Sequence, residues 1–105
     1  MNFKKSEIFN LIKKNVNKID ASAEIIIYGS RARGDENSES DWDILILTDY
    51  SVSLSREKEF RHNLFDLELK TGEPFSTFVY SKKDWNTKMS ITSFYSNVTR
   101  EGIRL

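Results

Sequence analysis

The chain has 105 residues, 38% of them hydrophobic and 30% charged, which suffices for one hydrophobic core, and we predict a single domain over residues 1–105. Its 16 basic and 16 acidic residues cancel, which argues against an extended nucleic-acid surface, and the absence of cysteine excludes disulfides and thiolate zinc sites. Because no apolar run approaches the ~20 residues of a membrane span and the first residues lack the apolar block of a signal peptide, we expect a cytoplasmic protein with small-molecule or protein partners.

The first predicted element is an amphipathic helix over residues 3–19. Apolar residues recur there at helical spacing, and lysines occupy much of the remaining surface. The residues of the apolar stripe are Ile8, Leu11, Ile12, Val16 and Ile19. We therefore expect this helix to cover a hydrophobic core.

Two short apolar runs, at residues 25–28 and 44–47, predict β-strands. Both are rich in isoleucine, and they end at Gly29 and at Thr48. Because both runs are apolar on consecutive residues, we expect both strands to lie in the middle of a sheet that is covered on its two faces.

The next segment predicts a helix followed by a strand. Residues 56–71 carry apolar residues at helical spacing, and Gly72 with Pro74 just beyond it marks the end of that helix. Residues 75–80 then form a third predicted strand, which is rich in aromatic and β-branched residues.

The last segment predicts one long helix. A capping box from Ser81 to Asp84 opens it, and we expect it to continue to Gly102, which leaves residues 103–105 for a last strand. The complete order of elements predicts an α/β (α+β) fold, in which helices flank a small mixed sheet of three to four strands.

Five carboxylates and no basic residue lie between residues 35 and 43, beside the second strand. Side chains alternate along a strand, so Asp41 and Asp43 should share one face while Trp42 points to the other. Two adjacent carboxylates repel each other unless a cation lies between them, and hard oxygen ligands of this kind suit Mg²⁺ or Mn²⁺. Taken alone, the pattern also fits a solvated turn before a strand.

Gly29 and Ser30 supply the other half of a site for a phosphorylated substrate. A strand that ends in glycine and turns into a helical segment presents backbone N–H groups, and glycine lets a phosphate approach them. The hydroxyl of Ser30 adds a further donor. Arg31 and Arg33 follow, and they are expected to face either phosphates or the nearby acids Asp35, Glu36 and Glu39.

Gly29 and Ser30, ten intervening residues, and then Asp41 and Asp43 resemble the signature of the nucleotidyltransferases related to DNA polymerase beta. The short length and residues 94–103 are similar to the minimal nucleotidyltransferases of prokaryotes. The resemblance implies the polymerase beta-like nucleotidyltransferase fold. It also implies that the two aspartates are the catalytic residues and bind magnesium, and that the Gly-Ser element binds the nucleotide. From the sequence itself we add Arg33 as a further candidate for binding the nucleotide.

The same resemblance implies a substrate and a partner. ATP or another nucleoside triphosphate would be bound with Mg²⁺, or with Mn²⁺, and AMP would be transferred to a hydroxyl of a protein. Many members of the family are encoded beside a HEPN-domain toxin, and some inactivate that toxin in this way. A HEPN-domain protein is therefore the expected partner, and the chain would be the antitoxin of a toxin–antitoxin pair.

One feature of the family is missing from the sequence. Full sites have a third carboxylate on the strand at residues 75–80, where this chain has no acid, and neither Glu73 nor Asp84 lies within that strand. Since side chains alternate, only one of Ser76 and Thr77 can face the aspartates, and we expect Ser76 to do so. The alternative function is therefore a catalytically weak or inactive module of the same fold, which acts by binding its partner.

Overall fold

The computed structural model describes residues 3–105, which form a four-stranded sheet with helices on both faces. In chain order the elements are α1 (Lys5–Ile19), β1 (Glu24–Tyr28), α2 (Ser30–Arg33), β2 (Trp42–Thr48), α3 (Leu54–Thr71), β3 (Phe75–Ser81), α4 (Lys82–Asn86), a 3-10 helix (Met89–Ile91), α5 (Ser93–Glu101) and β4 (Ile103–Arg104). The strand order is β3-β2-β1-β4, in which β2 and β3 are parallel and the other pairs antiparallel. Within the described residues, no helix is long and apolar enough to cross a membrane.

The two apolar runs form the two central strands, as the sequence predicts. β1 and β2 pair in antiparallel register, from Glu24 opposite Leu47 to Tyr28 opposite Asp43. β3 extends the sheet on the far side of β2, and β4 pairs with β1 on the other side. The predicted mixed sheet is therefore confirmed, with four strands.

One face of the sheet is covered by α1 and α3. The residues of this first core are Ile8, Ile12, Val16, Ile25, Ile27, Trp42, Ile44, Ile46, Phe60, Leu64 and Leu67. All of them are buried, because the alternating side chains of β1 and β2 meet the apolar stripes of both helices.

The opposite face is covered by the segment that follows β3. Its buried residues are Ile26, Leu45, Leu47, Trp85 and Val98, and partly buried aromatic side chains surround them. Trp85 lies at the centre of this second core, with its ring centroid 5.4 Å from that of Phe94 and 5.1 Å from that of Tyr95. Consecutive apolar residues in the central strands are thus needed, because both of their faces are covered.

The prediction of a single long helix from Ser81 to Gly102 is wrong, because the segment forms three short helices. Its start is as predicted, since the hydroxyl of Ser81 accepts a hydrogen bond of 3.0 Å from the amide of Asp84. α4 then ends before Thr87, and Thr92 adopts an extended conformation and caps a new helix with its hydroxyl, which accepts from the amide of Tyr95. A threonine that binds a backbone amide in this way favours a new helix start over continuation.

Gly102 allows the chain to turn directly from α5 into β4. A Cβ atom at this position would lie 2.5 Å from the carbonyl oxygen of Val98 and 2.6 Å from a methyl carbon of Ile26. Only glycine permits this close approach, and it holds the end of α5 against β1. The last strand is confirmed as the two-residue β4, whose Ile103 lies opposite Ile27.

Candidate functional site

Gly29 lies at the end of β1, where the chain turns into the short helix α2. Its backbone angles are φ 73° and ψ −158°, a region that is accessible almost only to glycine. A Cβ atom on Gly29 would lie 2.1 Å from the carboxylate oxygen Oδ2 of Asp43. The Gly-Ser turn and the second aspartate of the motif are therefore in direct contact across β1 and β2.

Asp41 and Asp43 lie at the start of β2, and Trp42 lies between them. Trp42 is buried in the first core, while Asp43 is half-buried on the opposite face and Asp41 is exposed just before the strand. The predicted alternation is thus confirmed for Trp42 and Asp43. It leaves one carboxylate partly removed from water and the other at the solvent edge.

The surroundings of Asp43 disfavour its charged form. Burial is the largest cause that raises the pKa of Asp43, the charge of Asp41 raises it further, Arg33 acts in the opposite direction, and Glu101 adds a smaller increase. Burial also raises the pKa of the neighbouring Tyr28 far above its usual value, and the charge of Asp43 adds to this. A cation at this position would relieve the repulsion between the carboxylates.

The two carboxylates fit a hard divalent cation on the chemistry of their donor atoms. Mg²⁺ commonly binds proteins through one or two carboxylates and takes its other ligands from water and substrate phosphates. Across residues 3–105, no group of three or more histidine, cysteine, aspartate or glutamate side chains is arranged to hold a metal ion. Two carboxylates alone would leave the other coordination positions of such an ion to water or to other ligands.

Arg31 has a structural role in the fold. Its guanidinium lies 4.7 Å from the centre of the Trp42 ring and donates hydrogen bonds of 3.1 and 3.3 Å to the carbonyl of Ser40. It also lies 3.7 Å from a carboxylate oxygen of Glu73. These contacts hold Arg31 over the Trp42 face of the sheet, away from the face that carries Asp43.

Arg33 lies beside the face of the sheet that carries Asp43. It donates a hydrogen bond of 3.1 Å to Asp35, one of the acids expected from the sequence, and its side chain is 46% exposed. It also donates to both carboxylate oxygens of Glu101, at 3.1 and 3.3 Å. Of the two arginines, Arg33 is therefore the one that remains close to the Gly29 turn.

Glu101 lies beside Gly29 and Arg33, and the sequence did not predict it as a residue of the site. Its Oε1 atom accepts a hydrogen bond of 3.2 Å from the backbone N–H of Gly29, and only 13% of its side chain is exposed. The two residues are 72 positions apart, and the last turn of α5 brings Glu101 to the end of β1. No local pattern in the sequence indicates this contact.

The strand β3 supplies no carboxylate beside Asp41 and Asp43. The parallel register places Ser76 beside Asp43 and Thr77 beside Ile44, which confirms the expectation that Ser76 is the residue on the aspartate face. Glu73 does not substitute, because its carboxylate accepts a hydrogen bond of 3.2 Å from the indole N–H of Trp42, on the opposite face. The gap predicted in the third strand is therefore present in the structure.

Comparison with known proteins identifies the same fold and family as the resemblance of the sequence motif. The family model of the nucleotidyltransferase domain matches residues 9–96. A candidate protein adenylyltransferase from Methanocaldococcus jannaschii is 39% identical over 82 residues, which cover 74% of this chain and 72% of that protein.

Solved structures agree in fold. The crystal structure of a candidate nucleotidyltransferase is similar with a TM-score of 0.61 and 28% identity, over 93% of this chain and 97% of that one. A chain of a toxin–antitoxin crystal structure with AMP-PNP is similar with a TM-score of 0.59 and 17% identity, over 97% of this chain and 72% of that one. At that identity the second likeness concerns the fold alone.

Proposed function

This chain belongs to the nucleotidyltransferase domain family, and we propose that it binds a nucleoside triphosphate with Mg²⁺ and transfers AMP to a hydroxyl of a partner protein. The observation that carries the proposal is the contact between Gly29 and the carboxylate of Asp43. It joins a turn suited to phosphate and a carboxylate suited to a metal at one point of the sheet. The whole activity is assigned to a single domain over residues 1–105.

Each residue of the motif has a proposed role. Asp41 and Asp43 hold Mg²⁺, or Mn²⁺ in its place, through their carboxylates. The amides of Gly29, Ser30 and Arg31 and the hydroxyl of Ser30 bind phosphate oxygens, since the first N–H groups of a helix have no acceptor within it. The amides of Ala32 and Arg33 already donate to the carbonyl of Gly29. The side chain of Arg33 adds a positive charge beside the phosphate oxygens. A bound metal would neutralise the charge that develops on the phosphates.

The transfer reaction exchanges one phosphorus–oxygen bond for another. A hydroxyl oxygen of the partner forms a bond to the α-phosphorus of ATP, while the bond between that phosphorus and the bridging oxygen breaks and pyrophosphate leaves. The hydroxyl loses its proton in the process. Because Ser76 occupies the position beside Asp43 on β3, this chain offers no carboxylate there to accept the proton, and the proton passes to water. The protein therefore acts mainly by positioning its substrates.

The proposed acceptor is a HEPN-domain protein, which would make this chain the antitoxin of a pair. One similarity supports a protein acceptor, because the relative from Methanocaldococcus jannaschii bears the name of a protein adenylyltransferase. The toxin–antitoxin crystal structure with AMP-PNP shares the fold. The identification of the partner as a HEPN-domain protein rests on the family resemblance of the Gly-Ser and Asp-x-Asp motif.

The experiment that tests the proposal measures labelled AMP on a co-purified partner. The parent should label the partner slowly, and the double variant Asp41→Asn with Asp43→Asn should not label it. Ser76→Asp places a carboxylate beside Asp43 and should accelerate labelling, since general-base assistance is worth about 100- to 10,000-fold. Ser76→Asn is the matched control, because it has the same size and accepts no proton at pH 7. Equal rates for the two Ser76 variants would contradict the assignment of the missing base.

The absence of a carboxylate on β3 also supports a second candidate function. The chain would then keep the fold and act only by binding its partner. Tight binding of the partner with no labelling by the parent or by Ser76→Asp is the result expected of such a module. Labelling that requires Asp41 and Asp43 is the result expected of the enzyme.

A further inference from the structure

The backbone N–H of Gly29 and the guanidinium of Arg33 share one acceptor, the carboxylate of Glu101. Oε1 lies 3.2 Å from the amide nitrogen of Gly29, and both carboxylate oxygens lie within 3.3 Å of Nη1 of Arg33. These are two of the groups to which the proposed function assigns the nucleotide. The structure thus contains an anion-binding position at the Gly29 turn, and a carboxylate of the same chain lies in it.

The Glu101 contact differs from an ordinary surface ion pair. Its side chain is 13% exposed, whereas Asp35, the other acid on Arg33, is 63% exposed. A hydrogen bond between a charged acceptor and a backbone N–H is stronger than one between neutral groups. Glu101 therefore differs from Asp35, which accepts from Arg33, because it also accepts from the backbone N–H of Gly29.

Glu101 is also held in place by rigid neighbours. It is the last residue of α5, and Gly102 directly after it packs against Ile26 of β1. Ile103 and Arg104 then pair with β1 as the strand β4. The carboxylate is thus delivered to the Gly29 turn by a helix and a strand that are both fixed on the sheet.

A phosphate and the Glu101 carboxylate cannot use the same donors at the same time. Both are anionic acceptors, and both need the N–H of Gly29 and the guanidinium of Arg33. Asp43, which touches Gly29, and the nearby Asp41 already place negative charge there, so a triphosphate entering beside Glu101 would meet further repulsion.

We propose that the carboxylate of Glu101 is a built-in competitor of the nucleotide, and that phosphate binding at the Gly29 turn displaces it from both Gly29 and Arg33. This inference rests on the proposed function. Glu101 lowers the affinity of the protein for the nucleotide, since the phosphate has to replace the contacts of Glu101 with both Gly29 and Arg33. Displacement requires only a change in the side-chain conformation of Glu101, since α5 and β4 stay fixed on the sheet.

The test compares the affinity for ATP in the presence of MgCl₂ by isothermal titration calorimetry. Glu101→Gln keeps the size of the side chain and removes the charge, and it should bind ATP about tenfold more tightly than the parent, as expected for loss of one charged hydrogen bond. Asp35→Asn is the matched control, because it removes the exposed acid on Arg33 only, and it should change the affinity by less than about threefold.

A second measurement uses the parent protein and does not depend on the folding of a variant. In NMR spectra of the parent, adding ATP and MgCl₂ should shift the side-chain carboxyl signal of Glu101 towards that of a solvated glutamate. The carboxyl signal of Glu59, which accepts from Arg56 on α3, should stay unchanged. An unchanged Glu101 signal in protein that has bound ATP would contradict displacement.

The possible outcomes separate this inference from the proposed function. If the parent binds ATP and Glu101→Gln binds it equally or more weakly, Glu101 does not compete and the inference is wrong while the proposed function stands. If Glu101→Gln binds ATP as the parent does but transfers AMP more slowly, Glu101 acts in the reaction instead. If no variant binds ATP, both the inference and the proposed function fail.

Discussion

The two faces of β2 have different roles, although the same strand of seven residues forms both. On one face Trp42, Ile44 and Ile46 are buried against α1 and α3. On the other face Leu45 and Leu47 pack in the second core, but the strand begins with the half-buried carboxylate of Asp43. The first face stabilises the fold, while the start of the second face carries charge that the fold alone does not need. Substitutions on the two faces should therefore have different, and in one case opposite, effects on stability.

The largest effect is expected in the first core. Phe60 is fully buried between α3 and the sheet, and Phe60→Ala should lower the free energy of unfolding by about 3 to 5 kcal/mol through lost burial and a cavity. Urea unfolding followed by circular dichroism measures this change. Phe65→Ala is the control on the same helix, since Phe65 is 52% exposed and its loss should cost less than about 1 kcal/mol. Similar costs for both would contradict the assignment of the core.

A smaller loss of stability is expected at the Gly29 turn. Gly29→Ala adds a Cβ atom that collides with Asp43 in a backbone region reserved for glycine, and we expect a cost of about 2 to 4 kcal/mol. Gly34→Ala is the control, because Gly34 also has a positive φ of 85° but open space around it, and it should cost about 1 kcal/mol. Urea unfolding of both variants checks the difference. Equal costs would show that Asp43 does not press against the turn.

The smallest effect has the opposite sign. In protein without metal or nucleotide, Asp43→Asn removes a half-buried charge that Asp41 and Glu101 repel, so it should raise the melting temperature. The increase should stay below about 5 °C, because solvent screens the repulsion on a carboxylate that is only partly buried. Leu45→Asn, two residues further along the same face, should be strongly destabilising. A lower melting temperature for Asp43→Asn would mean that the carboxylate stabilises the fold.

Much of the fold could be predicted because the relevant signals are local. The two β-branched runs, the alternation around Trp42 and the turn at Gly29 all follow from neighbouring residues. Alternation along β3 limits the residue that faces the aspartates to Ser76 or Thr77. The pairing of Ser76 with Asp43 depends on the register between two strands, which alternation does not determine. The predictions drawn from neighbouring residues needed no knowledge of distant contacts.

The remainder depends on packing between distant segments. The break between α4 and α5 follows from the cap at Thr92, whose hydroxyl competes with helix continuation, and the apolar spacing of the segment does not reveal it. The contact of Glu101 with Gly29 exists only because α5 and β4 dock on β1. The position of Arg31 over the Trp42 ring likewise depends on tertiary structure. The polar surroundings of the site were therefore harder to predict than its two motifs.

The central claim is that Asp41 and Asp43 form a metal and nucleotide site with the Gly29 turn, and thermal unfolding with ATP and MgCl₂ tests it most directly. A ligand at about 100 times its Kd stabilises the native state by ~2.7 kcal/mol, so the melting temperature of the parent should rise clearly. The double variant Asp41→Asn with Asp43→Asn should lose most of this rise. The control variant Asp35→Asn with Glu39→Gln removes two nearby charges outside the motif and should keep it. A double variant at Asp41 and Asp43 that responds to ATP and MgCl₂ as the parent does would contradict the account.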